Sequence, residues 1–554
     1  MDAPMIEEAV AVSSFVEAES VAAVLDTAHI GDIQGALGTI RIVDGEIRSG
    51  LKSRLMTLLA ILGPGLIVMV GDNDAGAFGT YTQAGQQYGT GLLWTLLLLV
   101  PVLYVNQEMV LRLGAVTGVG HARLILERFG KFWGAFSVID LFILNALTIV
   151  TEFIGISLGL DFLGLPKVAG VLVAACLIVG AASTGSFKRF ERICLVLVAG
   201  SLLLIPIFLM VHPPMSQVGR DLVIPHLPTN GGLSAVVLLI IAIVGKTVAP
   251  WQLFFQQSYV IDKRITPRFI SYEKVDLWIG IVVVVIGATA MISFTSAVFS
   301  GRPEFGHFSD ASGVAVGLSH YVGHVAGILF AIALIDASII GAAAVGLSTS
   351  YALGDVFGLK HSLHRKPGDA KAFYAVFGAV LLGSALVVLI PGSPLGLLTV
   401  GVQVLAGVLL PSATVFLLLL CNDEAVLGPW VNGPKMNLFT SGVIAVLVIL
   451  SLVLTAQVLF PDMSSAALVE LLLGGTILSA LVGVGYLALR RLRPARATPS
   501  AELDKMSWRM PPLALLGAPK LSTETRLGLF VLRFYLLIAM ILVFVRLGQL
   551  ALGH

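Results

Sequence analysis

Long apolar runs recur from residue 55 to the C-terminus, and they constrain this chain more than any motif does. They fall at about 55–86, 91–113, 133–160, 167–184, 193–211, 233–261, 275–299, 318–357, 372–391, 394–421, 437–460 and 466–489, with a last run over 526–550. Runs of roughly 20 apolar residues match the hydrocarbon thickness of a bilayer, where only helices or closed barrels satisfy the backbone. A barrel would alternate apolar and polar residues, and these runs do not. The expected fold is therefore an all-α polytopic membrane protein, multi-pass in the cell membrane. Composition agrees, with 57% of the 554 residues hydrophobic and only 12% charged. The net charge of +1 offers no basic face for nucleic acid. Cys176, Cys194 and Cys421 lie in or beside apolar runs, which argues against a disulfide framework or a thiolate metal cluster. No phosphate-binding loop is present, so ATP is not an expected partner. No charged segment followed by an apolar stretch opens the chain, so the first span is expected to direct insertion.

Basic residues mark the orientation. They cluster within 112–131, 188–192, 263–274, 360–371 and 490–496, with Lys435 alone, all in alternate loops. The intervening loops hold Lys167, Arg220 and Arg302. The positive-inside rule then puts the N-terminus in the cytoplasm. Residues 1–54 form a cytoplasmic segment, either a small cap or a partly ordered tail. Residues 55–211 hold spans 1–5, 212–421 spans 6–10 and 422–490 spans 11 and 12. Residues 491–554 carry a polar linker and a last apolar helix.

Within the first run, Val70-Gly71-Asp72-Asn73-Asp74-Ala75-Gly76-Ala77 interrupts apolar sequence with two carboxylates flanked by glycines. Charges at membrane depth are expensive and normally face a partner or a cavity. Val244-Gly245-Lys246-Thr247-Val248-Ala249 echoes this stretch in span 6 and is followed by Pro250, a helix breaker. Paired interruptions in the first helix of two five-helix halves suggest inverted repeats with a site at mid-membrane. Asp72 and Asp74 would diverge by about 200° on an intact helix, so only unwound backbone brings both to one cavity. Oxygen ligands from Asp72, Asn73 and Asp74 suit Mg²⁺ or Mn²⁺. The competing role for either acid is to cap the second half-helix.

Gly63-Pro64-Gly65, then Asp74-Ala75-Gly76-Ala77, then Gln83-Ala84-Gly85-Gln86-Gln87-Tyr88-Gly89 resemble the first helix of the Nramp family of divalent metal transporters. Arg112-Leu113-Gly114-Ala115-Val116-Thr117-Gly118, Thr247-Val248-Ala249-Pro250-Trp251, and Gln403 followed by Pro411 extend the resemblance over about residues 55–460. It implies a LeuT-like fold with broken helices 1 and 6, additional C-terminal helices, and alternating access around a metal site. The implied site takes in Asp74, Asp72, Asn73, Ala77, the backbone of Lys246, Ala249 and Gln403. Two departures matter. The family's amide ligand is replaced by Ala77, and its methionine by Ala249, which withdraws a soft ligand and widens the cavity. This pattern is similar to the Nramp-related magnesium transporters. Proton coupling also looks interrupted. The family's helix 6 histidines fall at Trp251 and Gln256, and Glu152 lacks the acidic partner that would stand at Ile149.

Lys246 stands where the resemblance puts a coordinating carbonyl, and its ammonium would repel a divalent ion. It either pairs with Asp72 or Asp336, or snorkels away, or serves as a built-in cation. Asp336 is an intramembrane acid, with a functional role or a structural pairing to Lys246 both open. The expected function is import of Mg²⁺, with Mn²⁺ second, without proton coupling. The metal is substrate, and no cofactor is expected. Partners are the cation and the lipid bilayer, and a monomer is the expected state. Three alternatives remain: a proton-coupled Mn²⁺/Fe²⁺ transporter, an amino-acid or organic-cation transporter of the same fold, and a transport-inactive metal sensor. An enzyme is disfavoured, since no activated nucleophile or His-containing metal triad is evident.

Overall fold

The computed structural model describes residues 26–45, 48–228, 232–390, 395–460, 463–492, 505–506, 508–517, 519 and 523–551. The acidic stretch before residue 26 and residues 497–504 of the linker lie outside the described residues.

The first span is interrupted twice. Helix α1 (Leu51–Ile61) and helix α2 (Pro64–Val70) meet at 52°, and α3 (Ala75–Tyr88) resumes after four residues. The bend lies at Gly63-Pro64-Gly65, where Gly63 has φ 153° and Pro64 opens α2. A proline in the first helical turn loses no hydrogen bond, because that N–H would be unpaired anyway. The backbone groups freed by the bend find partners. Lys263 donates to Ile61 O at 2.6 Å and to Leu62 O at 2.9 Å, and pairs with Glu191 at 2.7 Å. Asp276 accepts from the N–H groups of Gly65 (2.7 Å) and Leu66 (3.3 Å).

The chain continues through α4 (Leu93–Thr117), α5 (His121–Phe129), α6 (Lys131–Phe162), α7 (Lys167–Ala182), α8 (Phe187–Gly200), α9 (Leu204–Val211) and α10 (Met215–Val223). Span 6 is broken as α11 (Leu233–Thr247) and α12 (Pro250–Asp262), with Pro250 again in the first turn. Then come α13 (Ile270–Phe299), α14 (Ala311–Tyr321), α15 (His324–Phe357), α16 (Lys371–Val388), α17 (Leu395–Cys421), α18 (Pro434–Leu459), α19 (Ser465–Leu492) and α20 (Thr523–Ala551). Ten helices among the described residues are long and apolar enough to cross a membrane, or eleven with the α1–α2 pair. Helix α7, with 16 residues, is a shorter apolar helix.

Helix α13 packs against both α2 and α3, α6 runs along α15, and α11 crosses α17. The last crossing is close: a Cβ on Gly245 would come within 2.5 Å of Gln403 O and 2.7 Å of Gly407 Cα. Small residues permit such approach where no hydrophobic drive separates helix from lipid. Helix α20 packs against α17 and α18, and the Ser451 and Tyr535 hydroxyls hydrogen-bond there.

One sequence expectation needs correction. The run at 318–357 is not one helix. Residues 311–321 form α14, and α15 begins at His324 after Gly323, whose φ of 140° stops the helix. Besides the helices, the described residues hold a short hairpin, β1 (Ile33–Gly35) with β2 (Gly38–Ile40), paired antiparallel around Ala36-Leu37. Residues 26–45 are docked on the helices. Ala36 N–H donates to Glu191 at 2.5 Å, Arg192 to Ala36 O at 3.0 Å, and Arg264 to Ala28 O and Asp32 O. Asp26 pairs with Arg365 at 2.7 Å and accepts the His361 N–H at 2.8 Å.

His361, whose backbone N–H Asp26 receives, also carries a pH dependence of its own. Burial disfavours its charged ring, but the 3.0 Å contact with Asp355 outweighs burial and holds the imidazole up at about 9. A raised pKa stabilises the folded state fully below the ordinary histidine value, and that stability is lost as pH rises through about 9. Thermal stability of the whole chain should therefore fall between pH 6.5 and 9, by at most about 3 kcal/mol. His361→Gln should flatten that part of the profile; a profile already flat in the parent protein would show that the Asp355 contact does not hold the charged ring.

Candidate functional site

The break in span 1 decides where its acids point. Helix α2 ends at Val70, and the N–H groups of Asp72 and Asn73 turn back onto Met69 O and Val70 O. Asp74 is extended (φ −78°, ψ −170°) and caps α3, its Oδ1 accepting the Ala77 N–H at 3.1 Å. This geometry removes the divergence of an intact helix, and both aspartates converge on one atom. Lys246 Nζ lies 2.8 Å from Asp72 Oδ1 and 2.9 Å from Asp74 Oδ2. The lysine comes from the last turn of α11, one residue before its end, and is 1% exposed; both aspartates are fully buried.

A third carboxyl joins them. Glu152 of α6 accepts the Ala75 N–H at 3.1 Å, so the start of α3 serves both Asp74 and Glu152. Helix N-termini favour such groups through free N–H donors and the helix dipole. Gly341 of α15 permits the approach, since a Cβ there would lie 2.7 Å from both Asp74 Cβ and Glu152 Oε2. Two carboxyls thus contact one ammonium, with a third on the same helix start. Asp72 Oδ2, Glu152 Oε1 and Gln403 Nε2 have no hydrogen-bond partner among the described residues. No group of three or more His, Cys, Asp or Glu side chains among the described residues is arranged to hold a metal ion in this conformation.

The other expected residues divide into two sets. Ala249 caps α12 at the break in span 6, and Gln403 of α17 faces Gly76, whose added Cβ would also sit 3.2 Å from Asp74 Oδ1. Trp251 and Gln256 are buried on α12; neither the indole N–H nor either amide atom of Gln256 has a partner among the described residues. Asn73 turns elsewhere, its amide donating to Val284 O on α13 at 3.3 Å. Asp336 does not pair with Lys246. It faces Gly200 at the end of α8 and shares a small void with Asn73 and Ser201. The lysine takes Asp72 and Asp74 together, because the break brings them nearer than any acid on α15.

Sequence reasoning missed three neighbours. Gln252 lies beside Asp72 and accepts from Gln107 Nε2 at 3.1 Å. Tyr81 and Thr247 hydroxyls meet at 2.8 Å, bridging α3 and α11. The available signal was spacing: Gln252 is one turn before Gln256, on the same face of α12.

The family model that matches is Nramp, natural resistance-associated macrophage protein-like, over residues 65–457. Among solved structures, a histidine-to-alanine variant of the Eremococcus coleocola manganese transporter superposes with a TM-score of 0.60 at 19% identity, covering 83% of this chain and 98% of that one. The same organism's transporter in complex with an aromatic bis-isothiourea compound gives 0.61 at 19%, covering 84% and 98%. These likenesses establish a common fold. The match over residues 65–457, with an acid-bearing break in span 1 facing a break in span 6, establishes that this chain belongs to the Nramp family of membrane transporters.

Proposed function

We propose that the protein imports a divalent metal cation by alternating access, Mg²⁺ in preference to Mn²⁺, without coupling to protons. The observation that carries this reading is the convergence of Asp72 and Asp74 on a cationic group between the two helix breaks. Asp72, Asp74, Glu152, Gln252 and Gln403 offer oxygen, and alanine stands at residue 249 in place of a thioether. Oxygen donors and room suit Mg²⁺, which keeps several waters. Lys246 must leave for such an ion to bind. At 4 Å and an effective dielectric near 20, a unit and a double charge repel by roughly 8 kcal/mol. The ammonium thus acts as a tethered competitor that neutralises the aspartates until a cation displaces it. Trp251 and Gln256 do not titrate, which favours uptake driven by the membrane potential. An N-terminus on the cytoplasmic side fits the loop charges, and 100 mV contributes about 2.3 kcal/mol per elementary charge.

The amino-acid reading asks Asp74 and Lys246 to bind opposite ends of a substrate. Their 2.9 Å contact weighs against it.

In proteoliposomes carrying internal Mg²⁺ and pH dyes, Mg²⁺ should enter without acidification. Mn²⁺ entry accompanied by acidification, with Mg²⁺ excluded, would overturn the proposal. Lys246→Met leaves two buried carboxylates unpaired, at a cost of about 3–5 kcal/mol. Its melting temperature should fall in metal-free buffer and recover with millimolar Mg²⁺; indifference to divalent ions would mean the aspartates do not take a metal. Ala249→Met should shift transport toward Mn²⁺, as a thioether favours the softer ion. An unchanged Mg²⁺/Mn²⁺ ratio would discard residue 249 as a selectivity determinant.

A further inference from the structure

A second chemistry is built where the N-terminal hairpin meets the loop after α12. A cavity of about 540 Å³ opens there, within the range of small-molecule sites. Arg41 comes from the hairpin side, Arg264 and Arg268 from the loop, and Arg509 from the segment before α20. Asp44 is the carboxylate on the lining, and it is engaged by Arg48 at 2.5 Å. Among the described lining residues, arginines outnumber the carboxylate.

Loop arginines near a membrane are ordinarily solvated topology signals. Arg264, Arg268 and Arg509 are held in place. Arg264 spends Nε and Nη2 on Ala28 O (3.0 and 2.7 Å) and Nη1 on Asp32 O (3.0 Å). Its backbone is left-handed, φ 66°, a conformation that glycine usually takes after a helix. Arg509 donates Nη1 to Met506 O (3.1 Å) and Trp508 O (2.9 Å), and Arg268 donates to Asp44 O. The carbonyls around Arg264 and Arg509 orient these two side chains without cancelling their charge. Among the described residues neither Arg264 nor Arg509 forms an ion pair, and two of the five N–H donors of Arg264 remain for another acceptor. The Arg268 guanidinium also lies 5.4 Å from the Phe269 ring centroid, giving the cavity an aromatic wall.

Planar guanidinium forks match phosphate oxygens in pairs, which a single ammonium cannot do. We propose that this cavity binds a phosphate-bearing anion, either an anionic phospholipid headgroup or a soluble di- or triphosphate. The bound phosphates bridge three segments far apart in sequence: the hairpin, the loop after α12 and the segment before α20. Occupancy thereby holds the hairpin docked.

The test uses the full chain in nanodiscs. One arm has phosphatidylcholine alone and titrates pyrophosphate while following thermal unfolding. The other adds phosphatidylglycerol and reads retained lipid by native mass spectrometry. Arg41→Gln with Arg509→Gln spares Arg264 and Arg268, which pin the hairpin, and should weaken binding at least tenfold. Arg41→Lys should fall between, because it keeps charge and loses the fork. Saturable pyrophosphate binding that the double variant loses assigns a soluble ligand. Retained phosphatidylglycerol without a pyrophosphate response, again lost in the double variant, assigns a headgroup. Should the double variant misfold, the single variants Arg41→Gln and Arg509→Gln carry the test, each with about a threefold loss. Binding of neither probe, or binding that these variants leave unchanged, overturns the proposal.

Discussion

An ammonium buried between two carboxylates is the interaction on which this architecture rests. Each charge costs several kcal/mol to take out of water, and only short, well-oriented contacts offset that cost. Lys246 makes two, at 2.8 and 2.9 Å. The acids are further stabilised by the start of α3, whose N–H groups point at Asp74 and Glu152. The arrangement explains how two helices can be broken in the middle of a bilayer protein. Broken helices expose N–H and C=O groups that lipid cannot satisfy. Here the side chains that neutralise one another also satisfy part of the freed backbone.

The same solution recurs at the Gly63-Pro64-Gly65 bend. Lys263 follows the last residue of α12, contacts Glu191, and donates to two carbonyls at the bend, while Asp276 takes two N–H groups beyond it. Span 6 thus carries one buried lysine at its break and another just past its far end. Each grips a point where span 1 departs from helical geometry.

Much of this was readable in advance, for physical reasons. Two aspartates between glycines cannot continue an apolar helix, so the break at 71–74 was visible in Gly71, Asp72, Asp74 and Gly76. Pro250 marked the second break equally well. What sequence could not supply was the partner of Lys246. Asp72 and Asp336 were both within imaginable reach, and only the relative placement of α2, α11 and α15 excludes the latter and adds Asp74. The split between α14 and α15 went unread although Ser319, His320 and His324 flank Val322-Gly323, because one glycine there resembles the many that serve close packing. The hairpin was missed because its strands are three residues each, too short to show alternation. Gln252 escaped notice because the resemblance drew attention to Trp251 and Gln256, the positions of titrating residues.

The bend at Gly63 also sets a mechanical ratio. Helix α1 has 11 residues, so at 1.5 Å per residue it reaches roughly 16 Å from the pivot. A rotation of about 10° at Gly63 would sweep its far end through about 3 Å, while the seven-residue α2 moves the aspartates by less. Both hairpin strands pack on α1. The outer segment is thus the long arm of a lever whose short arm ends at Asp72, and small adjustments around the ion pair are magnified where the chain meets water.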